Sequence, residues 1–311
     1  MNIVTDEDNT VTEHKKFSCG YVAIVGRPNV GKSTLLNKLL GQKISITAHK
    51  PQTTRHRILG IRTDERAQII YVDTPGMHGN AKMALNRYMN RAATASINDV
   101  DVILFVIEAS NWNEQDEFVR EKLSGVDVPV ILVLNKLDKV KEKEKMLPQL
   151  EKLAKKINFA QLVPVSARTG DGIEALENTV ISLLPSSAAF FPEDQITDRS
   201  ERFLAAEFIR EKLMRSLGEE VPYALTVEIE RFEDQGNLKT IHAVIWVSRP
   251  GHKGIVIGKG GSLLKRIGEQ ARKDMERAFD CKVFLQLWVK VKEGWADDER
   301  ALRSLGYHDE Q

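Results

Sequence analysis

Gly26-Arg27-Pro28-Asn29-Val30-Gly31-Lys32-Ser33 decides how this chain is read. The stretch has the form GxxxxGK[S/T]. It stands between an apolar run, Tyr21–Val25, and an amphipathic stretch, Ser33–Leu40. Strand, glycine-rich turn and helix in that order form a phosphate cradle. Glycines let the backbone N–H groups of Asn29, Val30, Gly31, Lys32, Ser33 and Thr34 wrap phosphates without Cβ clash. The helix start adds a positive dipole end. Lys32 is expected to reach the β- and γ-phosphates, and the Ser33 hydroxyl to ligate Mg²⁺.

Working outward, short β-branched runs alternate with helical patterns. The runs are Ala67–Val72, Val102–Ile107, Val130–Leu134 and Leu162–Val165; the helical stretches are Lys82–Ile97, Glu114–Leu123, Lys141–Ile157 and Gly172–Leu184. Several runs are apolar at almost every position, as strands buried on both faces should be. The expected fold class is α/β, a doubly wound, mostly parallel sheet. Its ligands belong at the strand C-ends.

Three such ends carry polar motifs. Asp73-Thr74-Pro75-Gly76 follows Ala67–Val72. Asp73 there can hold Mg²⁺ through water, and the Gly76 N–H can meet a γ-phosphate at close range. Asn135-Lys136-Leu137-Asp138 follows Val130–Leu134 and chooses the base. Guanine presents N1–H and its 2-amino group side by side, and the Asp138 carboxylate can accept both. Adenine would leave that carboxylate unpaired, a difference supporting roughly 10⁴–10⁵ of discrimination. Asn135 should bridge base and phosphate loop, and the Lys136 stem should cover the ring face. Ser166-Ala167-Arg168 follows the fifth run, with the Ala167 N–H aimed at guanine O6. Ile46–Ile58, ITAHKPQTTRHRI, has no firm period and reads as a mobile loop whose Thr53 or Thr54 completes the Mg²⁺ shell.

Composition sets the outer bounds. The 311 residues are 42% hydrophobic and 29% charged, enough for two cores and too apolar for a wholly disordered chain. Lys and Arg number 45 against 44 Asp and Glu, so a nucleic-acid face must be a local patch. The longest apolar runs fall short of the ~18–20 residues of a membrane helix. Residues 1–16 are polar and acidic, lack a signal-peptide core, and read as a disordered leader. Cys19 and Cys281 stand far apart, which fits a reducing cytoplasm and two buried free thiols.

The second half has a different order. The first domain is taken as 17–186 and a linker as 187–200, within the proline-bearing Leu184–Ser200. A helix at Arg202–Leu217 then precedes strands at Ala224–Phe232 and Leu238–Val247, glycine-rich turns, a helix at Leu263–Phe279 and a strand at Lys282–Val291, an α+β domain over 201–292. Residues 239–292 hold 12 Lys and Arg against four acids, while 293–311 hold two Arg against six acids and read as a separate acidic tail. Within the basic region, Ile257-Gly258-Lys259-Gly260-Gly261 opens a helix; Ile255–Ile257 and Leu263–Ile267 are expected to floor a groove beside it.

The nucleotide motifs, in this order, resemble the translation-factor-like GTPases, and GRPNVGKST narrows the resemblance to bacterial assembly GTPases over residues 17–184. In that family the metal-binding threonine directly precedes an arginine, which favours Thr54 before Arg55. The resemblance implies Mg²⁺ with GTP or GDP, and Lys32, Thr54 and Gly76 as the hydrolytic groups. Met77 stands where Ras-like enzymes orient water with glutamine, and the sequence reveals no arginine finger; both predict slow turnover. Asn29 resembles a position that holds K⁺ in related GTPases, where a monovalent cation supplies the finger's charge. The helix–strand–strand–helix–strand order with its GxxG loop resembles a type II KH domain, which clamps about four single-stranded nucleotides. Ile257, Gly258, Lys259, Gly260, Gly261 and Lys265 are the implied RNA contacts.

A phosphate-loop GTPase followed by a KH domain, with QTTRHRI, DTPG, NKLD and VIGKGG, is similar to the bacterial small-subunit-assembly GTPases from Phe17 to Lys292. That resemblance implies binding to the 3′ end of small-subunit ribosomal RNA and to the immature 30S particle. It also implies a cytoplasmic monomer, loosely attached to the inner face of the inner membrane. Two rivals remain: a nucleotide-gated module that binds protein or membrane, and a tRNA-modification GTPase. The latter needs a catalytic cysteine or a cofactor-binding segment, and Cys281, beside a strand, reads as buried.

Overall fold

The computed structural model describes residues 17–77, 83–140, 159–218 and 220–307. The leader, the helix expected at Lys141–Ile157 and the last four residues lie outside them. The first domain contains β1 (Ser18–Val25), α1 (Lys32–Leu40), β2 (Ile58–Thr63), β3 (Ala67–Asp73), α2 (Ala84–Asn98), β4 (Val102–Glu108), α3 (Glu114–Leu123), β5 (Val130–Asn135), β6 (Gln161–Pro164) and α4 (Ile173–Leu183). The strand order is β2-β3-β1-β4-β5-β6, parallel except for β2 against β3. Every residue of β3 and β5 is buried, as the unbroken apolar runs require. Separate core clusters lie on the two faces of the sheet.

β2 forms where the sequence predicts only the end of the threonine loop. Its free edge is covered by the stretch read as a linker. Ile61 N donates to Ile196 O at 2.9 Å, Thr197 Oγ1 to Leu59 O at 2.7 Å, and Leu59 N to Asp198 Oδ1 at 3.0 Å. Buried Gln68 accepts from Phe190 N and Phe191 N at 2.7 and 2.9 Å and donates to Phe191 O at 2.8 Å. The linker is therefore a fixed edge cover, which removes an aggregation-prone strand edge.

The second domain contains α5 (Glu201–Ser216), β7 (Leu225–Asp234), β8 (Leu238–Val247), α6 (Pro250–Ile257), α7 (Ser262–Phe279) and β9 (Lys282–Val291). β7 and β8 form a hairpin, and β9 joins β8 in parallel through the α6–α7 crossover. Where glycine-rich turns were expected before the GxxG loop there is a helix, α6, started by Pro250 at its first turn. The residues read as a groove floor divide: Val256 and Ile267 are core, Ile257, Leu263 and Leu264 are half-buried, and Ile255 is exposed.

The expected acidic tail does not hang free. After a short 3₁₀ turn at Trp295–Asp297, α8 (Glu299–Ser304) and Tyr307 pack on α2. Trp295 is fully buried and its Nε1 donates to Ala224 O at 3.2 Å.

Candidate functional site

The glycine-rich loop leaves β1 and enters α1 with Gly31 in the left-handed region (φ 104°). Its residues Asn29, Gly31, Lys32, Ser33 and Thr34 share one cleft with Thr53, Thr54 and Gly76. Lys32 is buried, and its Nζ donates to Gly26 O at 2.9 Å and Arg27 O at 3.0 Å. Burial pulls its pKa down to about 8, against the raising influence of Asp73. Gly76 approaches the loop so closely that a Cβ there would lie 2.8 Å from Pro28 N.

Three hydroxyls surround Asp73 and its neighbour Ser33. Ser33 Oγ donates to Asp73 Oδ2 at 2.8 Å, Ser45 Oγ does the same at 2.8 Å, and Ser33 Oγ lies 2.7 Å from Thr54 Oγ1. Of the two candidate threonines Thr54 is therefore the one beside Ser33; Thr53 Oγ1 donates instead to Lys50 O at 2.6 Å. Burial raises the Asp73 carboxyl, opposed by Lys32 and these hydroxyls. Asp73 Oδ1 is buried with no hydrogen-bond partner. Hard oxygen donors converging beside an unsatisfied buried carboxylate oxygen fit Mg²⁺. Ser45 was not anticipated; a serine in a polar loop carries no signal of its own.

The base loops meet at the other end of the cradle. Asn135 Nδ2 donates to Val30 O at 2.8 Å, so the expected bridge to the phosphate loop exists. The Ala167 N–H, expected to meet guanine O6, donates to Asn135 Oδ1 at 3.0 Å. Asp138 Oδ1 accepts from Ser166 Oγ at 2.8 Å, and exposed Arg168 lies 3.8 Å from Asp138 Oδ2. Lys136, at φ 62°, is held by Glu108 at 2.9 Å. Glu108 is also 3.6 Å from Arg27, which pairs with buried Asp116 at 3.0 Å. These acids fix the loops from behind and gave no motif to find them by. Exposed Asn29 donates from Nδ2 to His49 O at 3.1 Å, bridging the phosphate loop to the threonine loop.

That threonine loop, expected as a mobile segment, is gripped by the second domain. Thr47 N donates to Glu211 Oε1 at 3.0 Å, and Arg215 donates to Thr47 O at 2.9 Å. Arg210, tied to Glu207, donates to Thr53 O. Arg55 is fully buried and donates to Leu225 O at 2.8 Å and Pro222 O at 3.0 Å. His56 stacks on Tyr307 at 4.6 Å. Burial drives its imidazole down to about 3, so it stays neutral at ordinary pH.

In the second domain Gly258, Gly260 and Gly261 all have positive φ, 72°, 58° and 78°. The loop presents exposed Lys259, with exposed Lys265 one turn into α7. Cys281, expected buried, is half-buried; its thiol pKa is raised, mainly by desolvation, which is the opposite of an activated thiolate. Among the described residues no group of His, Cys, Asp and Glu forms a further metal cluster.

Fold and loops together define a phosphate-loop GTPase joined to a KH domain. A family described as "50S ribosome-binding GTPase" matches residues 21–136, and the KH domain family matches 220–296. The chain is 60% identical to the GTPase Era of Pseudomonas savastanoi pv. phaseolicola over 94% of its own length and 97% of the relative's. It is 58% identical to that of Pseudomonas aeruginosa over 94% and 95%. It therefore belongs to the Era family of GTPases. A crystal structure of Era with MgGDPNP and nucleotides 1506–1542 of 16S ribosomal RNA superposes with a TM-score of 0.90 at 42% identity, covering 94% of this chain and 99% of that one. An Aquifex aeolicus Era variant bound to GDP·AlF4⁻ gives the same TM-score over 93% and 99%.

Proposed function

We propose that this GTPase uses its nucleotide state to change how the KH domain holds the single-stranded 3′ end of small-subunit ribosomal RNA during 30S assembly. The observation that carries the coupling is the grip of α5 on the loop bearing Thr54. The Thr53 carbonyl that holds Arg210 belongs to the peptide bond leading into Thr54, so a main-chain shift at Thr54 is felt by α5. The relative crystallised with a 16S fragment and MgGDPNP supplies the chemistry of both ligands.

In this reading the loop N–H groups from Asn29 to Thr34 and the Lys32 ammonium cradle the phosphates, and Gly76 N–H contacts the terminal one. Asp138, Asn135, Lys136 and the Ser166–Arg168 loop seat guanine. Ser33, Thr54 and Asp73 would hold Mg²⁺, which would supply positive charge against the phosphates. Met77 is buried in the sheet core and offers water no hydrogen bond. Arg27 and Arg55 are committed to Asp116 and to the KH backbone. Slow intrinsic hydrolysis follows. A K⁺ ion near Asn29 would supply the missing charge; faster turnover in KCl than in NaCl at equal ionic strength supports that, and equal rates remove it.

The RNA face comprises Ile257, Gly258, Lys259, Gly260, Gly261 and Lys265. The deciding experiment measures RNA affinity of the full chain with GDP and with a non-hydrolysable GTP analogue. A difference is expected, and equal affinities overturn the coupling. The reading extends to a cytoplasmic monomer with peripheral attachment to the inner membrane, tested by sedimentation and by flotation with anionic liposomes. No helix among the described residues is long and apolar enough to cross a membrane.

A further inference from the structure

Among the described residues, the outer face of the KH sheet carries two exposed aromatic side chains, Phe284 and Trp288, and two half-buried ones, His242 and Trp246. β8 sends Ile241, Ala243, Ile245 and Val247 into the domain core. Alternation puts His242 and Trp246 on the opposite face. β9 likewise buries Val283 and Val289 and leaves Phe284 and Trp288 outside, 53% and 37% exposed. The His242 ring stands edge-on between them, 5.3 Å from Trp288 and 6.3 Å from Phe284. Farther along, Lys290 Nζ and Lys292 Nζ lie 5.6 and 5.8 Å from the Trp246 ring. Exposed Leu238 pairs with Lys282 at the other end. Among the described residues, the C-terminal segment meets the top of this face, where Tyr307 OH is 3.0 Å from Thr226 Oγ1 and Ser304 Oγ accepts from Lys292 Nζ at 3.1 Å.

We propose that this row, Phe284–His242–Trp288–Trp246 flanked by Lys282, Lys290 and Lys292, is a second single-strand RNA surface continuing the GxxG groove. It rests on the RNA reading above. Aromatic faces for bases with ammonium groups at both ends are the chemistry of single-strand binding. The acids of this face sit on β7 and are engaged: Glu228 accepts from Trp246 Nε1 at 2.7 Å, and Glu230 pairs with Lys290 at 2.8 Å. The path therefore follows β9. Continuity comes from topology. β9 is an edge strand, and α6 and α7, which flank the glycine loop, pack on its inner side. A strand that fills the GxxG loop with about four nucleotides and continues has one unpaired strand edge to cross before meeting the aromatic row.

The test uses the full chain and labelled single strands of about 5 and about 15 nucleotides from the small-subunit rRNA 3′ end, the shorter filling only the GxxG groove. Phe284→Ala with Trp288→Ala removes two stacking faces and should weaken the longer strand about 10-fold or more, and the shorter one less than about twofold. Trp288→Phe, which keeps a stacking face, should retain most of the affinity. Thermal unfolding checks that the double variant is folded. Unchanged binding of the longer strand overturns the surface, as does equal loss on both lengths. Wild-type protein that binds neither length overturns the RNA reading itself, a distinct result. If the aromatic variants instead abolish self-association or protein binding with RNA affinity intact, the face belongs to a protein partner and the proposal fails.

Discussion

The molecule contains two glycine loops that each turn into a helix, and they solve different problems. At Gly31 a Cβ would lie 2.4 Å from Asn135 Nδ2, and at Gly26 one would lie 2.3 Å from Val106 O. In the second loop a Cβ at Gly258 would lie 2.7 Å from Leu263 Cβ, but at Gly260 and Gly261 it would meet nothing within 4 Å. The first loop needs glycine because protein crowds it from behind, even before a ligand enters. At Gly260 and Gly261 the second needs it for backbone angle alone, and its outer side stays clear there. One is a preformed cradle locked to the base loop by Asn135; the other is an exposed clamp that fits a backbone brought to it.

The strongest way to break this contrast is Gly31→Ala. The methyl must displace the Asn135 amide, which holds both Val30 O and Ala167 N–H, and the backbone there is left-handed as well. We expect GDP affinity to fall more than about 100-fold and stability to drop by about 2–4 kcal/mol. Calorimetric titration and thermal unfolding measure the two. Near-native GDP binding would show that the loop is not locked from behind.

The next effect is smaller and separates charge from strain. Gly261→Asp places a carboxylate in open space at φ 78°, a region that aspartate tolerates. RNA affinity should fall roughly 10-fold through repulsion of phosphate, with GDP affinity as the control. Gly261→Ala carries no charge and meets backbone strain at least as large, and should cost RNA binding less than about threefold. If alanine weakens RNA as much as aspartate does, the loss comes from backbone angle and charge repulsion plays no part.

The same contrast explains what could be read from the sequence. The phosphate and base loops were legible because function there dictates residue type at fixed spacing: Lys32, Ser33, Asp73, Asn135 and Asp138 all arrive at one cradle. The buried strands were legible because burial on both faces leaves unbroken apolar runs. Ile58–Thr63 was not, because Gly60 interrupts its run, and that glycine answers to α1, where a Cβ would lie 2.6 Å from Leu40 Cδ1. α6 was hidden by Gly251 and Gly254. The Ala167 N–H contact with Asn135 Oδ1 was hidden because that acceptor lies 32 positions away in the chain. The interdomain clasp was invisible for the same reason. Arg55, Gln68, Trp295 and Tyr307 have no periodic pattern, and their partners lie far off in sequence.

The finest test concerns how the two loops are tied. α2 follows the Gly76 loop, and its N-cap residue Met83 offers no side-chain cap. The cap is lent by the C-terminal segment: Ala84 N donates to Asp297 Oδ1 at 2.9 Å. A side-chain oxygen in that place is worth about 0.5–1 kcal/mol when exposed, as Asp297 is. Asp297→Ala should therefore lower the unfolding midpoint by only about 1–4 °C, while Asp297→Asn, which keeps the oxygen, should recover most of it. Amide exchange at the start of α2 should quicken in the alanine variant alone. Equal losses with alanine and asparagine would assign the effect to charge and leave α2 uncapped by the tail. With the cap confirmed, the segment after the KH strand becomes a physical strut between the helix behind Gly76 and the domain that carries the outer clamp.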